Sequence, residues 1–134
     1  MALITWNDSY SVNVKEMDDQ HMKLVEMINQ LHDAMKVGKG KEVVGKVLNG
    51  LTDYTRRHFT SEENLMRIHG YSGYEAQKKA HDNLISQVAD IRKKYSEGSV
   101  QSQQVISFLK DWLIRHIQGM DQDYGPHLNG KGVN

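Results

Sequence analysis

Six side chains, spread over most of the chain, stand at spacings that suit a transition metal. His21 closes the stretch "DDQH", His58 and Glu62 form His-x3-Glu, His81 lies in "QKKAHD", and His116 and Asp121 form His-x4-Asp. Neutral imidazoles beside carboxylates are a ligand set for such ions. Cysteine is absent, which removes thiolate sites, disulfides and cysteine nucleophiles from consideration. Four imidazoles and two carboxylates are more than one ion needs. They suit two ions bridged by the carboxylates, as in the bundle cores of other two-metal proteins. A closed structural zinc takes four ligands and would leave donors unused, so iron fits better than zinc.

The elements that must position these groups are helices. Pro126 is the single proline, and the glycines cluster at Gly38 and Gly40, Gly70 and Gly73, Gly98, and from Gly119 onward. Between these breaks run segments rich in Lys, Glu, Gln, Leu and Met, all good helix formers. Each carries an apolar stripe at three- and four-residue steps. The stripes read Met17, His21, Leu24, Ile28, Leu31, Met35; then Val44, Leu48, Leu51, Thr55, His58, Glu62, Leu65; then Tyr74, Gln77, His81, Leu84, Val88, Ile91, Tyr95; then Ile106, Leu109, Leu113, His116, Met120. Asp18 or Asp19 can cap the first helix, and Ser72 with Glu75 matches a capping box for the third. Gly38, Gly70 and Gly98 sit where helix C-terminal glycines belong.

Short connections favour antiparallel neighbours, so the expected fold is all-α, an up-down-up-down antiparallel four-helix bundle. Helices are expected at roughly 18–37, 41–68, 73–96 and 101–119, within the usual boundary error of about 2–4 residues. Residues 1–16, with Trp6, Tyr10, Val12 and Val14, read as an extended N-terminal arm, and 122–134 as a C-terminal tail that includes His127. In this topology His21, His58 with Glu62, Gln77 with His81, and His116 all fall at one end of the bundle. Burying such groups unpaired costs roughly 2–7 kcal/mol each, so a layer of them calls for a shared partner. Five residues of ideal helix turn through about 500°, which leaves Asp121 off the His116 face. A widened, π-like turn or the helix end is therefore expected between them, eased by Gly119.

The 134 residues fit one domain. Seventeen basic and seventeen acidic residues cancel, so the electrostatic footprint of a nucleic-acid binder is missing. No apolar run approaches the roughly 18 residues of a membrane span. The opening "MALITWNDSY" has neither a basic start nor an apolar core, so no secretory signal is expected and a cytoplasmic location is. Trp6 and Trp112 read as packing residues, and His32 as a solvated one.

Taken together, the arm "WNDSYSVNV", "DDQH", "HFTSEE", "HGYSGYEAQKKAHD" and "WLIRHIQGMD" resemble the bacterial hemerythrins over nearly the whole chain. The resemblance implies a single hemerythrin-like domain over 1–134. It implies a non-haem di-iron centre, with an oxo or hydroxo bridge, that binds O2 reversibly for carriage, storage or delivery, and does so without being an enzyme. By the same resemblance His21 and His58 would be terminal ligands of the iron that meets O2, and His81 and His116 would serve the other iron. Glu62 and Asp121 would bridge, and Leu113 would lie over the O2 pocket. The partner implied is O2 or another small ligand, with an O2-consuming enzyme as a possible recipient. No oligomeric state is implied.

Gln77 stands where the family pattern places the first His of His-x3-His. It is neutral, as His is, but a weaker donor. It can ligate through its carbonyl oxygen, bond to a water at that position, or leave a site that holds one ion. The expectation is that two metals still bind, with exchangeable coordination at the iron served by His81 and His116 and altered stability of the O2 adduct. The alternative functions are a di-iron enzyme or scavenger acting on peroxide or nitric oxide, and an O2 or redox sensor.

Overall fold

The computed structural model describes residues 3–38 and 40–134. Residues 1 and 2 of the expected arm, and Lys39 of the "KGKGKE" lysines, lie outside the described residues. After a short 3-10 turn at Asp8–Tyr10 come α1 (Lys15–Lys36), α2 (Lys41–Ile68), α3 (Tyr74–Ser96), α4 (Ser102–His116), a π-helical segment at Ile117–Asp121, and α5 (Gln122–Gly130). No strand occurs among the described residues. The last three elements follow without a break, so the fourth rod of the bundle runs from Ser102 to Gly130.

α1 packs on α2 and α4, and α3 packs on α2 and α4, which closes the ring of a four-helix bundle. Cross-helix contacts fix the antiparallel sense. His21 near the start of α1 meets Glu62 near the end of α2, while early Asn49 accepts a hydrogen bond from late Arg92 at 2.7 Å. Gly38, Gly70 and Gly98 close α1, α2 and α3 with φ of 74°, 66° and 79°, a left-handed conformation that costs glycine nothing.

The half of the bundle away from the histidines is apolar. Leu31, Ala34, Val44, Leu48, Leu51, Val88, Tyr95, Val105, Ile106 and Leu109 are all buried there. Full burial of a Leu or Ile side chain contributes about 1.5–3 kcal/mol, so this half carries the hydrophobic stabilisation that the polar half cannot supply. Phe59, Met66 and Ala34 are buried although they lie beside the expected stripes, whereas Met35 and Leu65 are half-buried. The apolar face is broader than one row of residues, as expected for a helix contacting two neighbours.

Three local expectations are corrected. α1 is not capped by Asp18 or Asp19. Its N-cap is Val14, and Asp18 instead accepts hydrogen bonds from the Val12 amide at 2.8 Å and the Ser11 hydroxyl at 2.6 Å, tying the arm to the helix. α3 starts after Gly73 with no side-chain cap. The stretch expected as a tail at 122–134 is helical over Gln122–Gly130, and Tyr124 and Leu128 are buried.

That last helix is held by the arm. Gln122 donates to the Ser9 carbonyl at 2.6 Å and Asn129 to the Asn13 carbonyl at 2.9 Å. Val12 and Val14 are buried beneath. The Val12 carbonyl lies so close to Gly125 that a side chain on Gly125 would collide with it.

Candidate metal centre

The four helices deliver their polar groups to one layer. His21, His58, Glu62, Gln77, His81, His116 and Asp121 are all at most 6% exposed. The six expected ligands and Gln77 are thus brought together. His32 and His127 are not among them: His32 has 26% of its side chain exposed, more covered than expected, and His127 donates from Nε2 to the His69 carbonyl at the end of α2. Leu113 is buried on α4, one turn before His116.

The π segment solves the spacing of His116 and Asp121. The Gln122 amide bonds back to the Ile117 carbonyl, five residues earlier. The wider turn returns Asp121 to the inner face, and Asp121 Oδ1 lies 3.1 Å from His116 Nε2.

All four histidines aim Nε2 inward. His21 Nε2 is 3.1 Å from both Glu62 Oε2 and Asp121 Oδ2. His58 Nε2 is 3.2 Å and His81 Nε2 3.4 Å from Glu62 Oε1. His81 and His116 place their Nε2 atoms 3.1 Å apart. These donors form two groups, His21, His58, Glu62, Asp121 and Glu62, His81, His116, Asp121, each with its ligand atoms within 4.8 Å of one another. The two carboxylates belong to both.

The outer nitrogens of two rings are fixed. His58 Nδ1 donates to Gln20 Oε1 at 2.6 Å, and His81 Nδ1 donates to Glu63 Oε2 at 2.8 Å. Such partners set the tautomer that leaves Nε2 free and raise its basicity. Phe59 stacks on His81 at 3.7 Å, and Trp112 stacks on His116 at 4.4 Å. Tyr124 donates its hydroxyl to Glu62 Oε2 at 2.5 Å. Gln77 donates from Nε2 to Asp121 Oδ1 at 3.0 Å.

Gln20, Glu63 and Tyr124 were not expected at the centre. Gln20 and Glu63 are chain neighbours of ligand candidates, a cue that spacing alone does not carry. Tyr124 lies three residues after Asp121, one helical turn, and that signal is visible only once 122–130 is read as helix.

The electrostatics describe a site short of positive charge. Burial works against the charged form of His21, but hydrogen bonds to Asp121 and Glu62, and their charges, push its pKa up to about 10. His81 is also raised, with burial outweighed by Glu62 and Glu63. Burial would raise Glu62, but His58, His21 and His81 hold it well below the usual carboxylate range. Asp121 is lowered too: burial and the Glu62 charge oppose this, and His116 and His21 prevail. Burial and both carboxylates push the Tyr124 phenol well up, so it stays a hydrogen-bond donor.

The donor set fits a pair of transition-metal ions. Bonds of about 2.1 Å put neighbouring donors roughly 3 Å apart, close to the separations found here. Glu62 Oε1, although near two imidazoles, has no hydrogen bond. Orphaned acceptors buried in this way require a cation or a donor.

Comparison with known proteins agrees with this reading. Residues 12–128 match the family model described as "Hemerythrin HHE cation binding domain". A protein named bacteriohemerythrin from Methylococcus capsulatus is 41% identical over 131 residues, covering 96% of this chain and 99% of that protein. Another bacteriohemerythrin, from Stenotrophomonas maltophilia, is 37% identical over 133 residues, 96% of this chain and 86% of that protein. The crystal structure of a wild-type hemerythrin superposes with a TM-score of 0.87 at 40% identity, covering 95% of this chain and 98% of that one. A four-helix bundle, a buried histidine–carboxylate layer and these relatives lead to one conclusion: the chain belongs to the hemerythrin family.

Proposed function

We propose that this protein is a non-haem di-iron O2 carrier, with one metal held by His21 and His58, the other by His81 and His116, and Glu62 and Asp121 shared between them. The observation that carries this is the pair of four-donor groups with two carboxylates in common. Family membership supports the same function, and O2 binding of this kind is not an enzymatic activity. When bound, the two irons supply the electrons and the open position that reversible O2 binding requires.

The chain's own residues do the rest. With metal bound, imidazoles that ligate through Nε2 add no charge, and Glu62 and Asp121 add one negative charge each, which balances part of the metal charge in a buried place. Gln20 and Glu63 hold the rings of His58 and His81 in the tautomer that presents Nε2. Tyr124 fixes Glu62 from behind. Leu113, buried one turn before His116, is the apolar side chain assigned to cover the ligand position and keep water from it.

The test is direct. Anaerobic reconstitution should give two irons per chain, and the reduced protein should take up O2 and release it under vacuum. Irreversible oxidation at the first exposure would overturn the carrier function. We extend the reading to a cytoplasmic setting and to an O2-consuming enzyme as recipient. Cell fractionation tests the first, and O2 transfer from the loaded protein to an oxidase tests the second. No described helix is long and apolar enough to cross a membrane.

A further inference from the structure

The two donor groups are alike: each has two imidazoles and the same two carboxylates. Gln77, at 2% exposure, is a buried neutral side chain in the same layer, beside the six histidine and carboxylate donors. An amide nitrogen has no lone pair for a metal, and the Gln77 atom that meets the cluster is this nitrogen, donating to Asp121 Oδ1 at 3.0 Å. Turning the amide to offer Oε1 would replace that charge-assisted bond with an oxygen facing a carboxylate oxygen. As placed, Oε1 is buried with no hydrogen-bond partner, an acceptor that a small donor such as water satisfies in place of a cation.

Resting on the di-iron reading above, we propose that Gln77 orients Asp121 without binding metal, so that the metal at His81 and His116 has a coordination position for a small exogenous anion, as the metal at His21 and His58 has. The Gln77 amide is a positioning group, and the centre takes two small monodentate anions where an imidazole at position 77 would leave room for one. Two grooves border the layer from outside. One of about 440 Å3 lies at His116, lined also by Trp112, Met120, Arg115 and Asp111, and one of about 300 Å3 lies at His81, lined by Arg56 and Lys78 together with Glu63 and Asp82.

The experiment uses the full chain loaded with cobalt(II) and titrated with azide, read by visible absorption. The wild type and Gln77→Ala should each bind two azides per pair of cobalt ions, and Gln77→His one. The cobalt bands of Gln77→His should differ from those of the wild type, as one ion gains a nitrogen ligand. Cobalt release to a chelator should slow by about tenfold or more when the imidazole is added. One azide in the wild type and two in Gln77→Ala would show that the amide oxygen ligates, and would overturn the inference while leaving the two-metal centre intact. Equal azide counts and equal spectra in the wild type and Gln77→His would overturn it as well. Failure of the wild type to hold two cobalt ions would instead overturn the di-metal reading, and the inference with it.

Discussion

At the scale of single residues, the distinction that matters is between groups proposed to face the metal pair and groups that hold those groups. Glu62 contacts three of the four imidazoles and accepts from Tyr124. Glu62→Ala should therefore reduce iron from two per chain to fewer than one, by elemental analysis, with the far-ultraviolet circular dichroism of the helices retained. Two irons in the variant would contradict the shared-carboxylate assignment. Glu63 only holds His81 from outside. Glu63→Ala should keep two irons but weaken metal affinity by about 10–100-fold, the usual effect of losing such a partner.

Protons occupy the metal-free layer in part. With its pKa raised from 6.5 to about 10, His21 carries a proton at pH 7 that a metal must displace. Loading at pH 7 should release at least one proton per chain, measured by calorimetry in buffers of different ionisation enthalpy. No release would contradict the charge state described. The sign for folding follows from the same shift. A raised pKa stabilises the folded metal-free chain in full below about 6.5, and that contribution is lost as pH rises through about 10. The denaturation midpoint of the metal-free protein should fall across that window.

At the scale of elements, the fourth rod is where sequence and structure part. The first three helices were legible because their stripes are regular and glycine marks each end. The need for a widened turn between His116 and Asp121 was legible too, from rotation per residue alone. What lay hidden was the helix beyond it. Pro126 and three glycines after Gly119 read as breakers, yet the arm overrides them by covering α5 and bonding to Gln122 and Asn129. This is tertiary contact prevailing over local propensity. Gly125 is required by that contact, since its missing side chain makes room for the Val12 carbonyl. Gly125→Ala should destabilise the fold by about 1–3 kcal/mol, as overpacking does, measured by denaturant unfolding. An unchanged midpoint would show that the arm is not seated there. The helix caps were misread for a related reason: Asp18 was free to serve the arm because the helix begins before it.

At the scale of the whole molecule, the bundle divides between an apolar half that stabilises and a polar half that gathers the candidate ligands. The buried polar layer could be read from sequence because topology sends the interruptions of four stripes to one end. Its supporting contacts could not: Gln20 and Glu63 follow no stripe, and Tyr124 falls in register with Asp121 only once 122–130 is read as helix. The central claim is that two metals sit side by side and share Glu62 and Asp121. Anomalous diffraction at the iron edge from crystals of the reconstituted protein tests it most directly. Two peaks are predicted, one between His21 and His58 and one between His81 and His116, with both carboxylates reaching each. A single peak, or peaks away from these side chains, would contradict the account.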